Sequence, residues 1–200
     1  KTLSLSQKDI FSNSIYEEIT NPYKDIKHDN WSPKELLNNK EILLVGSGPS
    51  LNLHKSAILR YIKKFNPFVI SLNFNKVIKS NVIDAFISSY LVSLLPYLSE
   101  INKNYKPIII PSLEIFNNED IKNKKNIYQY GLHVNKSKFE IKSFYCSLPS
   151  SIVLPYSLAT CIAGKAKKIT LCGVDGFELN DKRHLEHKEI LKLFIELNTD

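Results

Sequence analysis

A small turn, Gly46-Ser47-Gly48-Pro49-Ser50, carries the clearest chemical potential in the sequence, because it joins the apolar run 42–45 to an amphipathic stretch. Glycine lets a phosphate or another backbone approach closely, and proline suits a first helical turn because its missing N–H needs no partner there. Free amides at a helix start attract anions, and Ser50 can cap the helix or donate to an anionic oxygen. The turn therefore predicts a phosphate-binding corner. It also fits a tight turn without a ligand, since it lacks the third glycine of a dinucleotide fingerprint and the Lys-Ser/Thr of a P-loop.

Two further polar clusters follow apolar runs. Asn73 comes after the run 68–72, where dinucleotide-binding folds usually place a ribose-binding carboxylate, so an NAD-type ribose contact is disfavoured. Its amide can bond a base edge or a sugar hydroxyl, or can simply form a turn. Gly173 and Gly176 flank Asp175 after the run 168–172, where Asp175 either holds a ribose or sugar hydroxyl or shapes its loop.

His184 and His187 lie three residues apart on an expected helix and therefore share a face. One interpretation is a metal site with Glu186 or Asp181, although the H-E-x-x-H spacing is absent. A second is a general base that works near neutral pH. The residues alone favour a third, in which both histidines have no chemical role.

The elements that must position these residues follow from the hydrophobic pattern, which alternates short apolar runs with helical stripes. Strands are predicted at 42–45, 68–72, 82–87, 108–110, 127–130, 141–145 and 168–172, and helices at 7–19, 51–64, 91–102, 151–164 and 184–197. This alternation predicts an α/β, Rossmann-like parallel sheet with helices on both faces. Residues 1–40 are interpreted as a polar N-terminal arm that Trp31 anchors, and residues 41–200 as the nucleotide-binding domain.

Composition narrows the partners. The net charge of +7 favours anionic ligands, but the lysines are dispersed and the one cluster, 122–125, fits a solvated loop, so a nucleic-acid partner is not expected. Cys146, Cys161 and Cys172 lack metal-type spacing and indicate a reducing cytoplasm. Neither a transmembrane run nor a signal peptide is expected. The absence of methionine favours a piece of a larger polypeptide, and the sequence leaves oligomerisation open.

The stretches LLVGSGPSLN, VISLNFN and KKITLCGVDGFE together resemble the bacterial sialyltransferase-like superfamily. This group includes CMP-sialic acid transferases, flagellin-glycosylating motility accessory factors and relatives of 6-hydroxymethylpterin diphosphokinase. The resemblance implies a CMP- or CDP-linked sugar substrate, with no metal and no other cofactor. It assigns the cytidine nucleotide to Gly46, Gly48, Pro49, Ser50 and Asn73.

The chain departs from that family at three places. Ser88-Ser89 stands where the sialyltransferases carry a polar amide, and His187 matches their catalytic base in position but not in its neighbours. Tyr145 or Tyr156 takes the place of their phosphate-contacting tyrosines. His187 is thus the predicted base, and the predicted nucleotide-binding residues are Gly46, Ser47, Gly48, Pro49, Ser50, Asn73, Ser88, Gly173 and Asp175.

The segment from Lys167 to Phe194, with FNPFVISLNFN, is also similar to a module fused behind HMG-CoA-lyase-like aldolase barrels in surface-polysaccharide gene clusters. That resemblance implies a non-catalytic module that binds a nucleotide-linked sugar while the aldolase chemistry lies in the barrel. A third hypothesis is a purely structural Rossmann-like module whose glycine turn contacts no ligand.

Overall fold

A six-stranded, wholly parallel sheet organises the chain, in a computed structural model that describes residues 2–4, 31–74, 77–89, 105–113, 126–176, 178, 179 and 181–198. Strands are numbered in chain order from β1 (Thr2–Ser4), which lies outside this sheet. The six strands of the sheet are β2 (Glu41–Val45), β3 (Phe68–Leu72), β4 (Ala85–Ile87), β5 (Ile108–Ile110), β6 (Ile127–Gln129) and β10 (Lys168–Cys172). The spatial order is β10-β2-β3-β4-β5-β6, which makes β10 and β6 the edges.

Helices cover both faces of this sheet. They are α1 (Lys34–Leu37), α2 (Ser50–Leu53), α3 (Lys55–Phe65), α4 (Val153–Ala163) and α5 (Lys182–Asn198). Side chains alternate along β2, so Leu43 and Val45 pack on the face of α3, whereas Ile42 and Leu44 pack on the face of α4 and α5. The predicted α/β, Rossmann-like fold is confirmed.

A second sheet was not predicted. It has the order β1-β8-β9-β7, where the three new strands are β7 (Gly131–Val134), β8 (Lys138–Ile141) and β9 (Tyr145–Leu148). The strand predicted at 141–145 is wrong, because most of that segment is the turn between β8 and β9, which pair antiparallel. Tyr130 lies between β6 and β7, where the chain leaves one sheet for the other. Its hydroxyl lies 3.0 Å from the carbonyl oxygens of both Lys142 and Tyr145, so it bonds to the turn that the prediction misplaced.

Other boundaries follow the apolar runs closely. The strands at 68–72, 108–110 and 168–172 are confirmed, and β4 begins later than expected because Ser80–Val82 forms a 3-10 turn. The helix predicted at 51–64 is interrupted at His54, whose φ of -103° and ψ of 11° are not helical. The helices predicted at 7–19 and 91–102 and the lysine cluster 122–125 lie outside the described residues. No helix in the described ranges is long and apolar enough to span a membrane.

The last residues of the predicted arm belong to the folded body. Trp31 packs on Tyr128 with 4.9 Å between ring centroids, which confirms its expected role as an anchor. Leu37 is completely buried in the main core, the hydrophobic cluster on the sheet face that α4 and α5 cover. Its Cβ lies so near Gly164 that any side chain at that glycine would meet it.

We expect Leu37→Ala to lower the free energy of unfolding by about 2–5 kcal/mol, because it leaves a cavity beside α4. Urea denaturation measures this loss. Leu53→Ala is the control, since that leucine is 79% exposed and its truncation should cost less than about 0.5 kcal/mol. Equal stabilities for the two variants would show that α1 is not part of the core.

Candidate functional site

The topology places a crevice between the carboxyl ends of β2 and β10. The chain leaves β2 towards α3 on one face of the sheet, and it leaves β10 towards α5 on the other face. In open α/β sheets, adjacent strands whose connections diverge in this way form the usual ligand crevice. Two concave regions open here and share one wall.

The smaller region, the switch-point cavity, has a volume of about 210 Å³. Its lining comes from the turn after β2, the end of β3, the start of α4, the turn after β10, and α5. The residues are Gly46, Ser47, Gly48, Leu72, Asn73, Ile152, Val153, Leu154, Gly173, Val174, Asp175, Gly176 and His187. The larger region, the β10 groove, has a volume of about 550 Å³ and adds Ser50, His54, Ile58, Leu171, Cys172 and Leu191 to part of that wall.

Backbone N–H groups of residues 46–50 form three hydrogen bonds to the end of β10 and the turn after it. The N–H of Gly46 donates to the carbonyl of Cys172, and the N–H of Gly48 donates to the carbonyl of Gly173, each at 2.8 Å. The N–H of Ser50 donates to Oδ2 of Asp175, also at 2.8 Å. A Cβ on Gly46 would overlap the Gly173 carbonyl, and one on Gly48 would overlap the Asp175 carboxylate. Packing between the turns therefore explains both glycines without a ligand.

The predicted free amide at Ser50 is already bonded. The Asp175 carboxylate accepts from it and stands at the corner that the sequence analysis assigned to a phosphate. Hydrogen bonding to Ser50 lowers the pKa of Asp175, with a smaller contribution from His54, so the carboxylate is ionised at neutral pH. Pro49 precedes the helix as expected but lines neither concave region. The ionised carboxylate therefore makes this corner repel a phosphate.

Asn73 reaches the cavity from the end of β3 in a left-handed conformation, with φ of 59°. Its backbone N–H donates to the Ile87 carbonyl at 2.8 Å, and its Oδ1 accepts from the Ser88 hydroxyl at 2.7 Å. Ser88 was predicted to contact the nucleotide, but it is buried behind Asn73 and does not line the cavity. Its hydroxyl donates to the asparagine and so orients that side chain.

The start of α4 is a feature that sequence reasoning missed. Ile152, Val153 and Leu154 line the switch-point cavity, and the N-terminal cap residue, Ile152, provides no side-chain hydrogen bond to the helix. An 11-residue helix with an uncapped first turn presents backbone donors and the positive end of its dipole. In the sequence, the only sign of this uncapped helix start is the apolar residue Ile152 at the cap position, where Ser, Thr, Asp or Asn is usual.

His187 lines both concave regions, as the prediction of a base at this site requires, while His184 lines neither. Burial lowers the pKa of His187, and the nearby His184 lowers it further, so its imidazole is neutral at pH 7. Neither suggested tyrosine lines the cavity, and the buried hydroxyl of Tyr156 donates to the Tyr130 carbonyl. Among the described residues, no three His, Cys, Asp or Glu side chains are grouped to hold a metal ion.

Comparison with known families finds no family model that matches this chain, and comparison with curated proteins finds no match. The site must therefore be interpreted from its own geometry.

We expect Gly46→Ala and Gly48→Ala each to lower the free energy of unfolding by about 1–3 kcal/mol, since each adds a methyl group to a filled space. The two should differ when Asp175→Ala is added. The obstacle at Gly48 is first a side chain, so its cost should fall in that background, whereas the obstacle at Gly46 is a backbone carbonyl and its cost should persist. Urea denaturation of the two double-mutant cycles, Gly46→Ala with Asp175→Ala and Gly48→Ala with Asp175→Ala, measures the coupling free energy in each. Equal coupling free energies would contradict the contacts of the two glycines.

Proposed function

We propose that this chain is the nucleotide-sugar-binding domain of a sialyltransferase-like glycosyltransferase in bacterial surface-glycan biosynthesis, with a CMP- or CDP-linked sugar as substrate. One observation carries the proposal: Asn73, Asp175 and His187 come from three separate elements and line one cavity at the switch point of the sheet. The sequence resemblance supplies the ligand class.

The phosphate belongs at the start of α4 in this proposal, and not at Ser50. The Asp175 carboxylate repels an anion at the β2 turn, while the uncapped amides of Val153 and Leu154 attract one. Asn73 would then bond the nucleoside, because its amide can donate to and accept from a base edge. Asp175 suits a sugar or ribose hydroxyl, since a carboxylate accepts hydrogen bonds from hydroxyl groups.

The size of the site supports a ligand that extends beyond the switch-point cavity. Its volume of about 210 Å³ is below the roughly 300–1,000 Å³ typical of ligand pockets. The β10 groove shares Leu154, the turn after β10 and His187 with it, and adds space on the side of α5. The nucleotide would occupy the cavity, and the sugar would point towards His187 and the groove.

His187 is the proposed general base. A neutral imidazole can accept the proton of the acceptor hydroxyl while that oxygen attacks the anomeric carbon and the nucleotide leaves with the bonding electron pair. Its lowered pKa supports this role, because the base form predominates at neutral pH.

The non-catalytic module of an aldolase fusion is the second candidate. It is favoured by the contacts of Gly46 and Gly48, whose packing against the β10 turn accounts for the glycine motif without any chemistry. In that case the cavity binds a nucleotide-linked sugar, but His187 has no catalytic role.

Isothermal titration calorimetry with CMP and CDP tests nucleotide binding. We expect Asn73→Asp to weaken binding at least about tenfold, because aspartate tolerates the left-handed backbone and keeps an oxygen for Ser88 but loses the amide donor. Asn66→Asp is the matched control, since Asn66 is also left-handed, with φ of 46°, but ends α3 outside the site. If neither CMP nor CDP gives heat at millimolar concentration, nucleotide binding is refuted.

Release of CMP from a CMP-linked sugar distinguishes the transferase from the non-catalytic module. We expect His187→Gln to lower kcat by about 10²-fold or more while the affinity for CMP changes little, and His184→Gln to leave both near wild type. In the wild type, kcat/KM should rise with pH through the pKa of His187, below its usual value of 6.5. Unchanged turnover in His187→Gln would favour the module.

A further inference from the structure

On the edge strand β10, the described residues supply no partner for the side that faces away from β2. Within the described part of the chain it pairs with β2 alone. The carbonyl of Cys172 accepts a hydrogen bond from the N–H of Gly46, the residue that follows β2. The backbone N–H and C=O groups of Cys172 and Thr170 therefore face β2. Those of Ile169 and Leu171 point outwards, because the direction alternates along a strand. Leu171 is 42% exposed, whereas β4 and β5 are fully buried. Exposed edges of this kind tend to pair with another strand.

Charge and shape around β10 indicate a partner. The exposed Lys165 and Lys168 lie at the start of the strand, and the exposed Asp175 and Glu178 lie beyond its end. An antiparallel approach of an identical strand therefore sets a basic end against an acidic end twice, whereas a parallel approach opposes like charges. The β10 groove beside this edge is lined largely by apolar side chains, including Leu171.

We propose that two copies of this chain associate through β10, antiparallel, with Thr170 of both copies at the two-fold axis. Ile169 of each copy then faces Leu171 of the other, and their outward backbone groups form about four hydrogen bonds. The two parallel sheets become one continuous sheet, and the partner strand covers the part of the groove along Leu171. The end of the groove at Gly176 and His187 stays open. This interface does not depend on the proposed function.

Sedimentation equilibrium over a range of protein concentrations tests the dimer. We expect wild type to reach twice the 23.0 kDa of one chain, and Leu171→Glu to weaken the dimer at least about tenfold, because it sets buried like charges near the axis. Phe144→Glu is the matched control, since Phe144 is 41% exposed but lies in the β8–β9 turn of the other sheet. Circular dichroism checks that both variants are folded.

A cross-link tests the register. In a Cys172→Ser background, Thr170→Cys should form a disulfide-linked dimer on mild oxidation, because non-hydrogen-bonded antiparallel pairs place Cα atoms about 4.5 Å apart. Ile195→Cys, at an exposed position on α5, should not. A wild type that stays monomeric would overturn the proposal. The edge would then be covered by a strand of another protein or by another segment of this chain. The proposal would also be overturned by a dimer that Leu171→Glu and Phe144→Glu affect equally, or by one that Thr170→Cys does not cross-link.

Discussion

The contact between the turns after β2 and β10 is the constraint on which the site depends. Three amides of one turn, at Gly46, Gly48 and Ser50, are bonded to acceptors of the other, and two of these contacts leave no space for a Cβ. Because the turns touch backbone to backbone, the ends of the two strands are fixed side by side. The crevice next to them, where the sheet connections diverge, therefore has a defined shape before any ligand is present.

Electrostatics then divides this crevice into two parts. The Asp175 carboxylate takes the place beside α2 that an anionic ligand would otherwise occupy, and its lowered pKa keeps that part negative. The start of α4, without a capping side chain, also lines the cavity and is positive through its free amides and dipole. The cavity therefore carries a negative group at Asp175 and positive backbone donors at the start of α4.

The rest of the molecule holds these walls in place. Tyr156 of α4 is buried, and its hydroxyl bonds to the carbonyl of Tyr130, at the point where the chain passes between the two sheets. On α5, Ile190 and Phe194 lie on the same face as His187 and are buried in the main core. The second sheet thus supports the helix that presents the amides, and core packing fixes the helix that presents the histidine.

The sequence by itself determined the fold class and most strands of the parallel sheet. Continuous apolar runs predicted the parallel strands at 68–72, 108–110 and 168–172, and residues placed after those runs had to gather at one edge of the sheet. This is why Asn73 and Asp175 could be proposed together, whereas His187 was assigned from the family resemblance. The place of β1 in the second sheet escaped prediction because β1 pairs with β8 across most of the chain, and no local periodicity encodes a pairing at that separation.

Only the tertiary structure decided which groups of the site remain available. Ser50 and Asp175 are 125 residues apart in sequence, so nothing near the glycine turn revealed that its amide already has a carboxylate partner. For the same reason Ser88 was assigned to a ligand and not to Asn73, and the start of α4 was overlooked. Residue types along a chain specify which hydrogen bonds can form, but the choice among them depends on which distant segments folding brings within reach.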